Sequence, residues 1–185
     1  MSLGLYGGAF DPPHRGHVQL ARCAKAVLGI ERLLVLVAAH PGHKPVATPA
    51  ELRLEMARAA FPDDEVVLDG HPRTIDLLRD HPEWQDAWFV LGADEFAAFP
   101  SWKEPAEVLA RVRLAVGTRP GYAPERLDEV LAALARPDRV RIFEMTPVPV
   151  ASTALRTALV DADVPSAVAA IIRREELYGS SSGVH

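Results

Sequence analysis

Six short apolar runs separated by helical patterns limit this chain more than anything else in it. Leu33-Leu34-Val35-Leu36-Val37-Ala38 is uninterrupted by polar side chains, which suits a strand covered on both faces and therefore a parallel sheet. Leu3 to Tyr6, Glu65 to Asp69, Ala87 to Leu91, Val112 to Val116 and Val140 to Glu144 are the other five strand candidates. Between them lie helix signals. Gly29 stands at a C′ position, Thr48-Pro49-Ala50-Glu51 spells a capping box with Pro at N1, Pro62 closes that helix, and a further helix is expected from Thr74. Strands alternating with helices give βαβ units, so the expected fold class is α/β, a doubly wound Rossmann-like parallel sheet in a single domain. The domain is expected over residues 1–178, with a flexible Ser/Gly tail at 179–185.

In such sheets ligands bind beyond the carboxyl ends of the strands. The polar segments Gly7 to His17, His40 to Pro45, Gly92 to Asp94, Arg119 to Tyr122 and Val150 to Arg156 all follow strand candidates, so they are expected on one rim. The first is the richest. Gly7 and Gly8 let the backbone approach a ligand, Asp11-Pro12-Pro13 leads into a helix, and His14 and His17 fall three apart on its first turn. Free amides at a helix start, joined by two imidazoles, suit the negative charge of phosphoryl or nucleotidyl transfer. Two other readings stand beside this one: histidines that cap or pack the helix, and a zinc pair that lacks a third ligand unless Cys23 supplies it. G-x-G-x-x-G and G-x-x-x-x-G-K-[ST] are both absent, which removes the two commonest rival phosphate sites of this architecture.

Near the other end, Ser152, Thr153 and Arg156 offer two hydroxyls and a guanidinium at an expected helix start. They form an ordinary N-cap with a solvent-facing Arg, or a grip on a phosphate chain. Lys44 is a solvated loop charge or another cation at the same phosphates. Asp94 caps a helix or accepts a bond from a ribose hydroxyl, and Trp102 packs or stacks on a flat ring.

Bulk properties narrow the ligands. With 185 residues the chain can bury roughly 70% of its unfolded surface as one domain. Twenty Lys and Arg face 25 Asp and Glu, and the pI is near 5.8, so no basic excess is available for nucleic acid. One cysteine excludes an intrachain disulfide. No apolar run reaches the roughly 20 residues of a membrane span, and the start lacks a signal-peptide pattern, so a cytoplasmic protein without membrane contact is expected. A homo-oligomer is compatible with the sequence.

Gly7-Gly8-Ala9-Phe10-Asp11-Pro12-Pro13-His14-Arg15-Gly16-His17 resembles the G-G-[TSA]-F-D-P-x-H-x-G-H signature of the nucleotidyltransferase superfamily, and Ser152-Thr153-Ala154-Leu155-Arg156 resembles its [ST]-[ST]-x-[IL]-R signature. Together with His43-Lys44, Leu91-Gly92-Ala93-Asp94, Phe99-Pro100-Ser101-Trp102, Arg119-Pro120-Gly121-Tyr122 and Leu177-Tyr178, they look like the bacterial nicotinate-nucleotide adenylyltransferase family over nearly the whole chain. The resemblance implies adenylyl transfer from ATP to nicotinate mononucleotide, giving deamido-NAD and pyrophosphate. It implies His14, His17 and Arg156 as catalytic groups. Gly8, Ala9, Phe10, Lys44, Gly92, Asp94, Ser152 and Thr153 would bind the nucleotide, and Thr74, Trp102 and Arg119 the acceptor. Mg²⁺ would ride on the ATP phosphates, with no metal ligand from the protein. Two departures accompany the match. Ala151 replaces a usual Ser or Thr, and the segment 69–76 is shorter than the family's, with Thr74 alone matching and Arg73 as a substitute anion contact. Nicotinamide mononucleotide or another phosphate acceptor, and a regulatory nucleotide-binding module without turnover, are the alternatives.

Overall fold

The computed structural model describes residues 1–42, 46, 48–119, 124–145 and 163–179. Strands β1 (Leu3–Gly8), β2 (Arg32–Ala38), β3 (Glu65–Asp69), β4 (Trp88–Gly92), β5 (Arg113–Thr118) and β6 (Val140–Glu144) form one sheet in the order β3-β2-β1-β4-β5-β6. Every neighbouring pair is parallel. This is the doubly wound α/β sheet expected from the sequence, and its strand order reverses direction between β1 and β4. β1 runs two residues beyond Tyr6 because Gly7 and Gly8 continue its pairing, opposite Leu36 and Val37.

Side chains alternate between two cores, as the period of a strand requires. On one face Tyr6, Val35, Val37, Val90 and Ala115 meet helices α1 (Arg15–Leu28), α2 (Ala50–Ala60) and α7 (Ser166–Arg174). On the other, Leu5, Leu34, Leu36, Phe89, Leu91, Leu114 and Val116 meet α3 (Thr74–Asp80), α4 (Ala93–Ala98), α5 (Pro105–Arg111) and α6 (Pro124–Ala133). Burial of β2 on both faces explains why its sequence shows no polar alternation.

Gly29 closes α1 in the left-handed conformation, φ 63°, as its position predicts. The start of α2 differs from expectation. Pro49 is the N-cap and no side chain caps the helix, because the Thr48 hydroxyl donates to the hydroxyl of Tyr178 instead. A tertiary partner has displaced the local capping box.

Candidate active site

The turn after β1 is shaped from inside. Phe10 adopts φ 50° and is 2% exposed, its ring packed edge-on against Tyr6, His17 and Phe61 at centroid distances of 5.4, 5.1 and 5.8 Å. A Cβ on Gly8 would press on that ring at 3.0 Å. Gly8 is therefore demanded by the protein's own packing, not only by ligand approach, and Phe10 can serve a ligand through its main chain alone. The Asp11–Pro12 peptide is cis.

His14 is the N-cap of α1, and its Nδ1 accepts the amide of His17 at 3.3 Å. His17 returns the bond, its Nδ1 accepting the amide of His14 at 3.1 Å. The rings stack with centroids 3.7 Å apart. This corrects one expectation, since two helix-start amides are spent on the imidazoles and are not open to a phosphate. Capping and ligand recognition also cease to be rival readings. With both Nδ1 atoms committed as acceptors, a neutral ring carries its proton on Nε2, the edge turned away from the cap. Burial pushes the pKa of His14 down to about 4, so at neutral pH it offers a hydrogen-bond donor without a charge.

Beyond these rings opens a cleft of about 1220 Å³ lined by the carboxyl-end loops, larger than the roughly 300–1,000 Å³ that holds one small ligand. Each described part of the expected rim contributes to it: Gly7 to Asp11, His14, Gly16 and His17 from the first segment, then His40 to Gly42, Gly92 to Asp94, and Arg119. Ala9 lines it beside Gly8. A Cβ on Gly92 would meet nothing within 4 Å, so the space above it belongs to the cleft. Asp94 does not cap α4, whose N-cap is Gly92. Its carboxylate is 79% exposed and stands 4.0 Å from the guanidinium of Arg119. Thr74 opens α3 on the same cleft, half-buried. Trp102 has its ring set by Phe89 and Phe99, at 6.0 and 5.2 Å, and it borders the cleft as well. Next to it, Lys103 Nζ donates to Asp76 at 2.8 Å and joins the loop before α5 to α3.

Lys44, Pro120 to Tyr122, Ser152, Thr153 and Arg156 lie outside the described residues. Among the described residues no three His, Cys, Asp or Glu side chains converge as metal ligands, which leaves the zinc-pair reading of His14 and His17 without a third ligand there.

The sequence assigns no role to Arg53 or His71, and it shows Tyr178 only as part of the matched Leu177-Tyr178 pair. Arg53 is 1% exposed on the buried stripe of α2, with Met56, Ala57 and Ala60. A charge at position i of an i, i+3, i+4, i+7 apolar stripe was the available signal. The Tyr178 hydroxyl donates to Asp11 Oδ1, 167 residues away, and no local pattern announces that. His71 borders the cleft with Nδ1 at 2.7 Å from Asp69 and Nε2 at 3.0 Å from Asp80.

A parallel sheet in this order, with an imidazole-capped helix at its topological switch point and room for two ligands, is the plan of a Rossmann-like nucleotide-handling enzyme. The sequence matches the cytidylyltransferase-like family over residues 5–158. It is 36% identical to a probable nicotinate-nucleotide adenylyltransferase of Rubrobacter xylanophilus, covering 96% of this chain and 92% of the relative. A protein of the same description from Thermus thermophilus is 33% identical, covering 96% of this chain and all of the relative. In fold the chain is similar to Plasmodium falciparum nicotinic acid mononucleotide adenylyltransferase complexed with NaAD, with a TM-score of 0.79 at 17% identity over 97% of this chain and 98% of that one. The chain belongs to the nicotinate-nucleotide adenylyltransferase family of nucleotidyltransferases. No helix among the described residues is long and apolar enough to cross a membrane.

Proposed function

We propose that this protein transfers the adenylyl group of ATP to nicotinate mononucleotide, in the cytoplasm, as one catalytic domain spanning residues 1–178. A phosphate oxygen of the mononucleotide attacks the α-phosphorus of ATP. The new P–O bond forms as the bond from the α-phosphorus to the bridging oxygen breaks, and pyrophosphate leaves with that electron pair. The products are deamido-NAD and pyrophosphate. The attacking phosphate is already ionised at neutral pH, so no general base is required, and catalysis reduces to positioning and charge neutralisation.

The observation that carries this reading is the reciprocal cap of His14 and His17. It fixes two donor-bearing imidazole edges at the switch point of a cleft wide enough for two nucleotides. Donors held in advance at developing charge are worth roughly 3 to 4 kcal/mol each. Lys44, Ser152, Thr153 and Arg156 hold the remaining triphosphate, Gly92 leaves room for the nucleoside, and Asp94 takes a ribose hydroxyl. Thr74 and Arg119 seat the acceptor, and Trp102 stacks on its pyridine ring. Mg²⁺ carried on the ATP phosphates would offset part of their charge.

Pyrophosphate release with ATP and each of nicotinate mononucleotide, nicotinamide mononucleotide and phosphopantetheine tests the proposal. Turnover is expected with the pyridine mononucleotides, and fastest with nicotinate. ATP binding without release for any acceptor would leave a nucleotide-sensing module, and a preference for phosphopantetheine would move the protein to another reaction.

A further inference from the structure

Arg53 is the most deeply buried charge among the described residues, and all its described hydrogen bonds end on main-chain carbonyls. Nε donates to Thr48 at 3.1 Å, Nη1 to Ala9 and Ala38 at 2.8 Å each, and Nη2 to Ala39 at 3.1 Å. One guanidinium thus ties together the turn after β1, the end of β2 and the approach to α2. Burial of that charge lowers its pKa, a cost a neutral side chain would avoid, so four carbonyl bonds are what hold it there.

The orientation of these carbonyls matters. In a planar trans peptide the C=O of one residue and the N–H of the next point in opposite directions. Arg53 lies behind the turn while Ala9 and Phe10 border the cleft, so drawing the Ala9 carbonyl back turns the Phe10 N–H forward. Drawing the Ala39 carbonyl back does the same for the N–H of His40, which also borders the cleft. A second tie doubles the first. The Thr48 hydroxyl, 2.9 Å from Tyr178, meets the same phenol that donates to Asp11, so Thr48 is held through its carbonyl by Arg53 and through its hydroxyl by the last helical turn of the described chain.

We propose that Arg53 is a positioning residue for adenylyl transfer: it aims the Phe10 amide at the phosphates between which the bond breaks, with Tyr178 bracing the same turn. The kinetic part rests on the adenylyl-transfer reading above, and the binding part needs ATP alone. Arg53→Lys keeps the charge but cannot fork to three stretches of chain. With the variant folded, kcat is expected to fall about 10- to 100-fold while the KM for the mononucleotide moves less than about threefold. In protein labelled with ¹⁵N-phenylalanine, the shift of the Phe10 amide on adding ATP should vanish in the variant. Tyr178→Phe, missing only a hydroxyl, should lower kcat about three- to tenfold and carries the test if Arg53→Lys does not fold. Ile30→Ala is the stability control, since Ile30 packs beside Gly4 at the amino ends of the strands, and its Tm should drop without loss of kcat. Arg53→Lys that keeps kcat within threefold, or keeps the Phe10 shift, overturns the proposal. So does an Ile30→Ala enzyme of equal Tm that loses as much activity. If the wild type turns over no mononucleotide, the function reading falls, and the Phe10 shift still decides the role of Arg53.

Discussion

The two faces of the sheet meet the cleft in different ways. On the α1–α2 face the polar groups are sealed in: Asp11, His14, Thr48 and Arg53, the buried polar residues among those described, are 2, 7, 5 and 1% exposed, and all stand at or behind one turn. On the α3–α6 face the charges at the cleft are nearer solvent: Asp94 stands 4.0 Å from Arg119, and Lys103 pairs at 2.8 Å with the half-buried Asp76. Exposed pairs contribute roughly 0 to 1 kcal/mol and rearrange freely, whereas a buried network has few alternative geometries. Rigidity is concentrated where phosphate charge would develop, and adaptability where an organic acceptor would enter. A transfer reaction between one constant nucleotide and one selected partner suits that division.

The largest effect is expected at His17. Replacing it by alanine removes an Nε2 donor and the acceptor that caps the His14 amide, and kcat should fall about 10² to 10³-fold with a stability loss near 1 kcal/mol. Steady-state kinetics beside urea melts check this, and near wild-type turnover would dissolve the distinction between the faces.

The next effect is on stability. Burial holds His14 at a pKa of about 4 against about 6.5 unfolded, so between those values the unfolded chain takes up a proton that the folded one refuses. Stability should therefore fall as pH drops from about 6.5 to 4, by about 3 kcal/mol. His71 on the other face runs the opposite way. Its bonds to Asp69 first and Asp80 second raise its pKa, so its contribution is complete below about 6.5 and is lost as pH rises through the folded value. His14→Asn keeps an N-cap acceptor without the titration and should flatten the acid limb of urea midpoints measured across this range. An unchanged limb would show that His14 is not sealed as described.

The strands and the switch-point turn were legible because each is local: apolar runs, a double glycine, Asp-Pro-Pro and H-x-G-H are all read within fifteen residues. What supports the turn was not. Tyr178 acts across 167 residues, so its role appears only when the chain is folded. Thr48 carried a correct local signal for a cap and was taken by that distant phenol. Arg53 was readable in principle, as a charge on an apolar helical stripe, but a stripe does not say which carbonyls the guanidinium will find. Phe10 matched a signature whose letters do not reveal that its ring faces the core.

The smallest effect concerns Trp102, where the two faces should differ in kind. Its ring leans on Phe89 and Phe99, so its orientation is set by packing before any ligand arrives. Stacking on a flat ring is worth roughly 1 to 3 kcal/mol, and truncation to alanine removes it without exposing a buried charge. Trp102→Ala should therefore raise the KM for nicotinate mononucleotide about tenfold and leave that for ATP within about twofold. Because stacking acts on ground state and transition state alike, kcat should hold, in contrast to the loss at His17. A rise in the KM for ATP instead would place the adenine, not the pyridine ring, against Trp102 and exchange the assignments of the two faces.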